Sequence, residues 1–318
     1  MDAEADAGNG VTKVGTIYVF GGATDAGNVA TVLLADARSD GTLGAWKTGT
    51  PLLETRSYLQ AVTGNGFVAI VGGLAPSGYA TSTLVARILP SGLGDWTALG
   101  QFGIPRIRHA VALANDRLYV VGGTDGADAP TADVQVGPVT ALLVGPWAST
   151  STLPIPRSRT AVASTLKWIY VFGGTDSAFN PVTDVNGAPI NADGTVGSFQ
   201  AQPALPTART HAQATLVTPI QILVTGGEHT AEVLVYDIDP ALGSLAPPRA
   251  TLALPGPTDH HATVRLGNHV YVIGGLRDAV TRLSDVLVGD LAPDGTITRW
   301  TPVTSLPAPL AYHSAVAF

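Results

Sequence analysis

The chain has 318 residues, of which 45% are hydrophobic and 13% charged, and its net charge is −7. A negative balance without any run of lysine or arginine argues against a nucleic-acid surface. Because the sequence contains no cysteine, it can form no disulfide, thiolate metal site or cysteine nucleophile. No stretch of about eighteen apolar residues is present, so we expect no membrane-spanning helix.

The chain opens with an acidic segment rich in alanine and glycine, MDAEADAGNG. It has no apolar periodicity, and we expect residues 1–14 to be a flexible leader. The leader is either a native disordered terminus or the end of a linker that once followed an export signal. We therefore expect an exported or cell-surface protein, with a cytoplasmic location left open.

Six short apolar strands, each ending in two glycines, recur along the chain. β-Branched and aromatic residues before a glycine pair indicate a buried strand that stops abruptly. The first glycines lie 48 to 53 residues apart, and a strand in every unit of this length predicts an array of blades. The six strand ends are, in chain order, IYVFGG (17–22), VAIVGG (68–73), LYVVGG (118–123), IYVFGG (169–174), ILVTGG (222–227) and VYVIGG (270–275).

Each unit has the same order of elements around its glycine pair. A proline-rich lead-in opens a first strand, the glycine-terminated second strand follows a short turn, and a polar loop leads to a third strand such as VLLADAR (32–38). A tight turn then opens a fourth strand, as in DGTLGAW (40–46), because Asp-Gly between apolar runs favours a hairpin. Four antiparallel strands in each of six units, with almost no helical periodicity, predict an all-β, six-bladed propeller.

We predict that residues 15–318 form a single domain closed by its own two ends. The first unit starts at a second strand, and the chain finishes on a lone first strand at 312–318. Pairing the C-terminal strand with the N-terminal blade would remove the exposed edges of an open array. The predicted blades are 309–318 with 15–49, then 56–97, 106–148, 157–201, 208–247 and 258–301.

These repeats resemble the kelch family, in the form of six kelch-like repeats of bacterial type. The resemblance covers essentially all of residues 15–318 and rests on the glycine pairs, the Leu-Pro…Arg…His lead-ins, and recurrent tyrosine and tryptophan. Phe199 and Leu245 stand where tryptophan is expected, and the fifth unit is degenerate. The resemblance implies the architecture, whereas kelch propellers include oxidases, sugar isomerases, specifier proteins and binding modules. The aromatic residues are Tyr18, Tyr119, Tyr170, Tyr271, Trp46, Trp96, Trp147 and Trp300.

We expect the chemistry of such a propeller on the face where the second-to-third loops and the lead-ins emerge together. Aligning the lead-ins on their apolar runs places six residues at one equivalent position, at the mouth of the central channel. They are Gln60, His109, Thr160, His211, His261 and His313. The residues just before them are Leu59, Arg108, Arg159, Thr210, His260 and Tyr312. Arginine or histidine here either hydrogen-bonds neighbouring backbone or lines a site.

Histidines are concentrated in the last third of the chain, which has six of the seven. Five of them map to loops of blades five, six and one, and the short fifth unit predicts a low rim beside them. We therefore predict a polar cavity over the channel mouth near these blades. Its lining would be His211, Glu228, His229, Asp259, His260, His261, Arg277 and His313. The wider set of candidate ligand-binding residues adds Arg108, His109, Arg159, Arg209 and Tyr312.

Two classes of function fit this cavity. The first is a monomeric binding propeller whose partner is a small polar molecule or a protein, and it predicts polar groups that are spread out and solvated. The second is an enzyme acting on a small polar substrate, and it predicts a deep pocket with histidine and carboxylate in hydrogen-bond reach. The catalytic candidates are His211, Glu228 and His261. No cofactor is firmly implied, and a divalent metal would be held by His211, His260, His261 and His313.

The family resemblance narrows the enzyme alternative. A copper-radical oxidase of the galactose-oxidase type requires a cysteine-modified tyrosine, which a chain without cysteine cannot form. A sugar isomerase similar to sialic-acid mutarotase uses arginine for a carboxylate together with acid/base residues. The resemblance implies that Arg159, Arg209, Glu228 and His261 would supply those groups.

Overall fold

The computed structural model describes residues 10–141 and 143–318, so most of the predicted leader, residues 1–9, lies outside the described residues. The described part consists of β-structure without a helix. Six sheets of four principal antiparallel strands form the blades. The first strands of successive blades are neighbours all the way round, including the first strands of blades six and one. The prediction of an all-β, six-bladed propeller is thus confirmed.

The strands of each blade run outward from the central channel from first to fourth, and this is also their chain order in blades two to six. The first strands, for blades one to six, are Ser314–Ala317, Gln60–Gly64, Ala110–Ala114, Ala161–Ser164, Gln213–Thr218 and Ala262–Leu266. The second strands are Lys13–Phe20, Phe67–Val71, Arg117–Val121, Trp168–Phe172, Gln221–Thr225 and His269–Ile273. The third strands are Val32–Arg38, Ser82–Leu89, Val134–Pro138, Val185–Pro189, Val233–Asp237 and Val286–Leu291. The fourth strands are Lys47–Thr48, Thr97–Gln101, Ala148–Ser149, Gln200–Gln202, Arg249–Ala250 and Ile297–Pro302.

Three further short pairings decorate the blades. A two-residue strand, Gly92–Leu93, extends the sheet of blade two, and its partner is the end of the third strand. Two small hairpins follow the glycine pairs of blades one and two. Their strands are Ala23–Thr24 with Gly27–Asn28, and Leu74–Ala75 with Gly78–Tyr79.

Closure by the two ends of the chain is also confirmed. The C-terminal strand pairs with the second strand of blade one in antiparallel register, from Ile17 opposite Ala317 to Phe20 opposite Ser314. The side chain of Phe318 stacks on Tyr18, with ring centroids 5.0 Å apart. Blade one therefore takes its innermost strand from the end of the sequence, and its sheet has no exposed inner edge.

The glycine pairs end the second strands because the backbone turns sharply against a neighbouring lead-in. Gly173 has φ +53°, and a Cβ placed on it would lie 2.5 Å from the carbonyl oxygen of Arg209. Gly274 has φ +55°, and the corresponding contact is 2.6 Å to the carbonyl oxygen of Leu310. Only glycine accommodates both this conformation and this close approach.

In blades one to five the fourth strands start later than the sequence pattern predicted, whereas in blade six the strand Ile297–Pro302 includes Trp300 as expected. In blade one the turn at DGTLGAW (40–46) is held by the Asp40 carboxylate, which accepts hydrogen bonds from the backbone N–H and hydroxyl of Thr42. The strand itself begins only at Lys47, after the tryptophan. The indole N–H of Trp46 donates to the carbonyl of Thr304 in blade six, so the tryptophan joins two blades instead of extending a strand.

A fully buried arginine braces each of blades two to five: Arg56, Arg106, Arg157 and Arg209. In blade four, Nη1 of Arg157 donates to the carbonyls of Gly173 and Asp184, at 3.4 and 3.0 Å. Its Nη2 donates to Asn186 at 2.7 Å and lies 3.2 Å from the Asp184 carboxylate. We call this set of acceptors the arginine cradle. It consists of the carbonyl of the first glycine, the carbonyl of the residue before the third strand, and a nearby polar side chain.

Candidate functional site

Six residues with left-handed backbone conformation form a ring at the mouth of the channel. They occupy the same position in every blade, and their φ values lie between 51° and 59°. Several are joined through the backbone: the N–H of Arg159 donates to the carbonyl of Arg108 at 2.7 Å, and the N–H of His211 donates to that of Arg159 at 3.0 Å. We call this set the mouth ring; its members are Tyr58, Arg108, Arg159, His211, His260 and Tyr312.

The mouth ring corrects the predicted alignment in two blades. His211 had been placed opposite His109 and His261, but it belongs with Arg108 and His260. In blade two, the predicted Gln60 likewise lies one residue too late. The apolar runs used for the alignment do not fix its register, because small and polar residues alternate freely at the start of the first strands. Tyr58, which was missing from the candidate ligand-binding set, is a full member of the mouth ring.

The residues directly after the mouth ring are buried scaffold, which removes three predicted ligands. Nε2 of His109 and of His313 meets a backbone carbonyl of the preceding blade, Val71 at 3.2 Å and Ile273 at 3.0 Å. Nε2 of His261 meets the hydroxyl of Thr225 at 2.9 Å. Burial lowers the pKa of His109 and His261 to about 3 and that of His313 to about 4, so all three are neutral.

Arg209 and Arg277 also differ from the prediction. Arg209 is buried in its arginine cradle, where it donates to the carbonyl of Gly226 and the carboxylate of Glu232. It is not available to a ligand at the mouth. Arg277 is exposed, and its guanidinium faces Asp285 at 3.6 Å, away from the other candidates.

The remaining predicted residues are brought together, and Asp259 lies at their centre. Its side chain is 4% exposed, and its carboxylate contacts Nδ1 of His260 at 2.6 Å and Nδ1 of His229 at 2.8 Å. One buried carboxylate therefore orients two imidazoles. Burial lowers the pKa of His260, and the Asp259 carboxylate opposes that shift.

A second set of hydrogen-bonded polar side chains, from blade five, lies next to the histidines held by Asp259. The hydroxyl of Thr210 donates to the carboxylate of Glu228 at 2.6 Å and lies 3.1 Å from Nδ1 of His211. The His211 ring stacks on His260 with centroids 3.5 Å apart. Burial, together with the positive charges around it, holds the pKa of His211 well below its usual value. Nε2 of His211 is buried and has no hydrogen-bond partner.

The backbone of blade five makes this arrangement possible. Glu228 and His229 directly follow the glycine pair, and both have left-handed φ values of 47° and 57°. Such conformations are uncommon for residues other than glycine and concentrate at functional sites. The degenerate fifth unit thus places Glu228 where blades three and four have Thr124 and Thr175, and His229 where they have Asp125 and Asp176.

Above these residues lies an open groove of 340 Å³ that spans blades four, five and six. Arg159 forms one side of it, with its guanidinium 5.5 Å from the ring centre of Phe179. Tyr312 of blade one closes another side, and His260 packs edge-on against it at 4.4 Å. The pocket at the mouth ring itself, lined by the six ring residues and those that follow them, offers only 50 Å³. The groove, defined by Arg159, Thr175, Phe179, His211, Glu228, His229, Asp259, His260 and Tyr312, is the candidate site.

The predicted metal ligands are not arranged around one point. His261 and His313 are used in contacts between blades, whereas His211 and His260 stack face to face. Within residues 10–141 and 143–318, no group of three or more histidine, aspartate or glutamate side chains has a geometry that would hold a metal ion. The same residues contain no helix of the length and apolarity needed to cross a membrane.

Comparisons with known proteins give distant relatives that share the repeat. No family model matches the chain. Alpha-scruin of Limulus polyphemus is 24% identical over 248 residues, which are 73% of this chain and 26% of that protein. Kelch repeat protein C2 of Cowpox virus is 30% identical over 107 residues, or 34% of this chain and 20% of the relative. Kelch-like protein terF of Aspergillus terreus is 24% identical over 253 residues, or 69% and 54%. The chain thus spans between a fifth and about half the length of these relatives.

Proposed function

The chain is a kelch-repeat β-propeller, and from this premise we propose that it is a binding protein whose groove between blades four and six recognises a carboxylate-bearing partner. Kelch propellers commonly bind proteins. The observation that carries the proposal is Asp259, a buried carboxylate that holds two histidines at the edge of an open groove. The groove lies on the loop face over the channel mouth, where a propeller scaffold presents its variable segments.

The other blades serve as internal controls for Asp259. At the equivalent position they have Ser57, Ile107, Ser158, Thr210 and Ala311. None of these is charged, so the fold itself does not require a carboxylate there. Burying one is costly unless it is paired. A local charge that the scaffold does not need, together with the histidines that satisfy it, is best explained by recognition of a partner.

The chemistry of the groove favours an anionic ligand that also carries hydrogen-bonding groups. The Arg159 guanidinium contacts the Phe179 ring, and its Nε is buried without a hydrogen-bond partner. Arginine forms two parallel hydrogen bonds with a carboxylate, which makes it the natural anchor for such a group. Nε2 of His211 and the exposed carboxylate of Glu228 are then available for hydroxyl or amide groups of the same ligand.

A titration followed by amide chemical shifts tests this proposal. The probes are a capped glutamate peptide and D-glucuronate, which carry the same carboxylate on a polypeptide and on a sugar. We expect shifts at Arg159, His211 and His260, with Asp259→Ser weakening binding at least about tenfold, because a charged hydrogen bond is lost to each histidine. Asp125→Ser, on the same face in blade three, is the matched control and should bind as the parent does.

The stronger of the two probes identifies the source of the carboxylate. The proposal would be refuted if neither probe gave saturable chemical-shift changes at millimolar concentration. It would also be refuted if the Asp259→Ser variant bound the probes as tightly as the parent protein does.

A second candidate function is acid/base isomerisation of a sugar, and one observation favours it. Asp259 and His260 are in direct hydrogen-bond contact, and the pKa of His260 is lowered, so a neutral imidazole oriented by a carboxylate faces the groove. Exchange between sugar anomers, measured by NMR at neutral pH, checks this candidate. Acceleration that disappears in His260→Gln supports catalysis. If the protein binds a sugar acid but anomer exchange is no faster than in buffer, only the binding function is supported.

A further inference from the structure

Blade six lacks the buried arginine that blades two to five share. Thr258 stands at the position of Arg157, and both residues lie 16 positions before the first glycine of their blade. The hydroxyl of Thr258 reaches only the carbonyl of Gly274, at 3.4 Å. Of the three groups that hold a guanidinium in blade four, blade six therefore keeps the two carbonyls but supplies no guanidinium from its own lead-in.

The acidic partner of the missing arginine is nevertheless present. Asp285 directly precedes the third strand of blade six, as Asp133, Asp184 and Glu232 do in blades three, four and five. Those three acidic side chains each lie within ion-pair distance of the arginine of their own blade. Blade six therefore contains the acidic side chain but no arginine at the lead-in position to pair with it.

In blade one the arginine cradle is absent, and apolar packing takes its place. There Leu310 takes the arginine position and is buried in the core, and Thr31 takes the place of the acid. Both charges have disappeared together, and apolar packing fills the space. Blade six differs, because its acid remains and its arginine position is occupied by a side chain too small to fill the cradle.

An open cavity occupies the place of the absent side chain. It measures 350 Å³ and is lined by the lead-in around Thr258 and by Gly274, Asp285 and Leu287. Arg277 and Asp285 stand at its edge, with side chains 56% and 59% exposed, so the cavity opens to solvent there. Their mutual contact of 3.6 Å is that of an exposed pair, which contributes little and can be displaced.

We propose that the arginine cradle of blade six binds a guanidinium group supplied from outside, on a partner's arginine side chain or on a small alkylguanidinium. The carbonyls of Gly274 and Asp285 would accept its N–H groups, and the Asp285 carboxylate would balance its charge, as in the filled cradles of the neighbouring blades. This site is separate from the groove at Asp259, and neither proposal depends on the other.

Calorimetric titration of the full chain tests the proposal with three probes. Agmatine carries a free guanidinium, a capped Gly-Arg-Gly peptide carries one on a polypeptide, and the capped Gly-Lys-Gly peptide is the ammonium control. We expect one of the two guanidinium probes, at least, to bind and the lysine peptide to bind at least about tenfold more weakly, since the cradle's acceptors suit a fork of donors. The tighter guanidinium probe shows whether the natural source is a small molecule or a polypeptide.

Two substitutions locate the binding. Thr258→Arg should fill the cradle internally, abolish binding and raise the melting temperature. Asp285→Asn should weaken binding at least about tenfold, whereas its matched control Asp184→Asn, beside the filled cradle of blade four, should not. If Thr258→Arg fails to fold, the pair of aspartate variants decides the question alone.

Three results would overturn the proposal: no binding of either guanidinium probe, equal binding of the lysine peptide, or undiminished binding by Asp285→Asn. Arg277→Ala removes the cation at the edge of the cavity. A variant that binds when the parent does not would show that Arg277 itself is the occupant, and would also overturn the proposal.

Discussion

Blades four and six are built on the same backbone but have opposite chemistry in four consecutive residues. Blade four reads Arg-Ser-Arg-Thr over 157–160, whereas blade six reads Thr-Asp-His-His over 258–261. In blade four the first arginine is buried structure and the second faces the mouth. In blade six the cradle is open, a carboxylate is buried next to it, and a histidine takes the mouth position.

The difference separates what the scaffold needs from what it only tolerates. The glycine pair, the left-handed mouth position and the ladder of strands are common to both blades. The arginine, the serine and the second arginine are all replaced in blade six without loss of the blade. Residues that change between blades on a constant backbone are therefore the ones to examine for function, and three predictions test this division.

The largest effect is expected where the two blades agree. Gly173→Val and Gly274→Val each introduce a β-branched side chain at positive φ and within 2.6 Å of a carbonyl oxygen. We expect both to lose about 4 kcal/mol of unfolding free energy, from backbone strain and overpacking together. Denaturant unfolding measures the loss, and Gly126→Val, in open space on a loop, is the control. Unequal losses in the two blades would mean that the glycines do not play the same structural part.

A smaller loss should follow when blade four is made to resemble blade six. Arg157→Thr removes donors from the carbonyls of Gly173 and Asp184 and leaves a cavity. We expect a loss of about 3 kcal/mol, as unsatisfied acceptors and a void act together. Arg159→Asn is the control, since it removes an arginine two residues along, at the half-buried mouth position, with a residue that tolerates the left-handed φ of 59°, and should lose less than about 1 kcal/mol. Equal losses from the two variants would remove the distinction between scaffold and mouth.

The effect that is smallest near neutral pH, and grows in acid, concerns His261, which blade four replaces with Thr160. The folded-state pKa of His261 is about 3, against 6.5 for the free side chain. The unfolded chain therefore binds a proton between these values that the folded chain excludes, so the unfolding free energy falls as pH falls from 6.5 toward 3. Each such histidine contributes a slope of about 1 kcal/mol per pH unit.

Urea unfolding of the parent and of His261→Thr at several pH values measures this slope. We expect a shallower slope in the variant, and an unchanged one in the control Thr160→Ala. A variant with the parent's full slope would mean that His261 does not take up a proton on unfolding.

The sequence predicted the propeller because its strongest signals are local. Four apolar residues followed by two glycines define a strand and its end within six positions, and six copies give the number of blades. The chain's ends, a second strand first and a first strand last, were enough to predict the closure through Ile17 and Ala317.

The alignment of the mouth residues was harder to predict from the sequence. The distance back from the first glycine of each blade aligns them better than the apolar runs do. Counting back 16 residues from the first glycine finds Arg56, Arg106, Arg157 and Thr258. Blade five needs 17, because the register of its first hairpin shifts between Leu216 and Thr218. An apolar run cannot reveal that extra residue, and this is why His211 was placed one position out.

The assignment of individual histidines could not be made from the sequence. His260 and His261 are neighbours of the same residue type, yet one faces the groove and the other is buried against Thr225 of the preceding blade. Which of the two points inward depends on the left-handed φ of His260, a consequence of the packed lead-in. Likewise, the contact of Asp259 with His229 joins two loops whose relative position only the closed ring determines.

The mouth ring also makes the molecule an unusually convenient starting point for directed evolution. All six of its residues share one backbone conformation, within a φ range of 51° to 59°, although they include two tyrosines, two arginines and two histidines. The direction of each side chain is therefore set by the main chain and not by the identity of the residue. A combinatorial library at these six positions would vary the chemistry of one surface patch while the scaffold beneath it stays constant. Asparagine and aspartate tolerate left-handed backbone angles, so the library can include them as well.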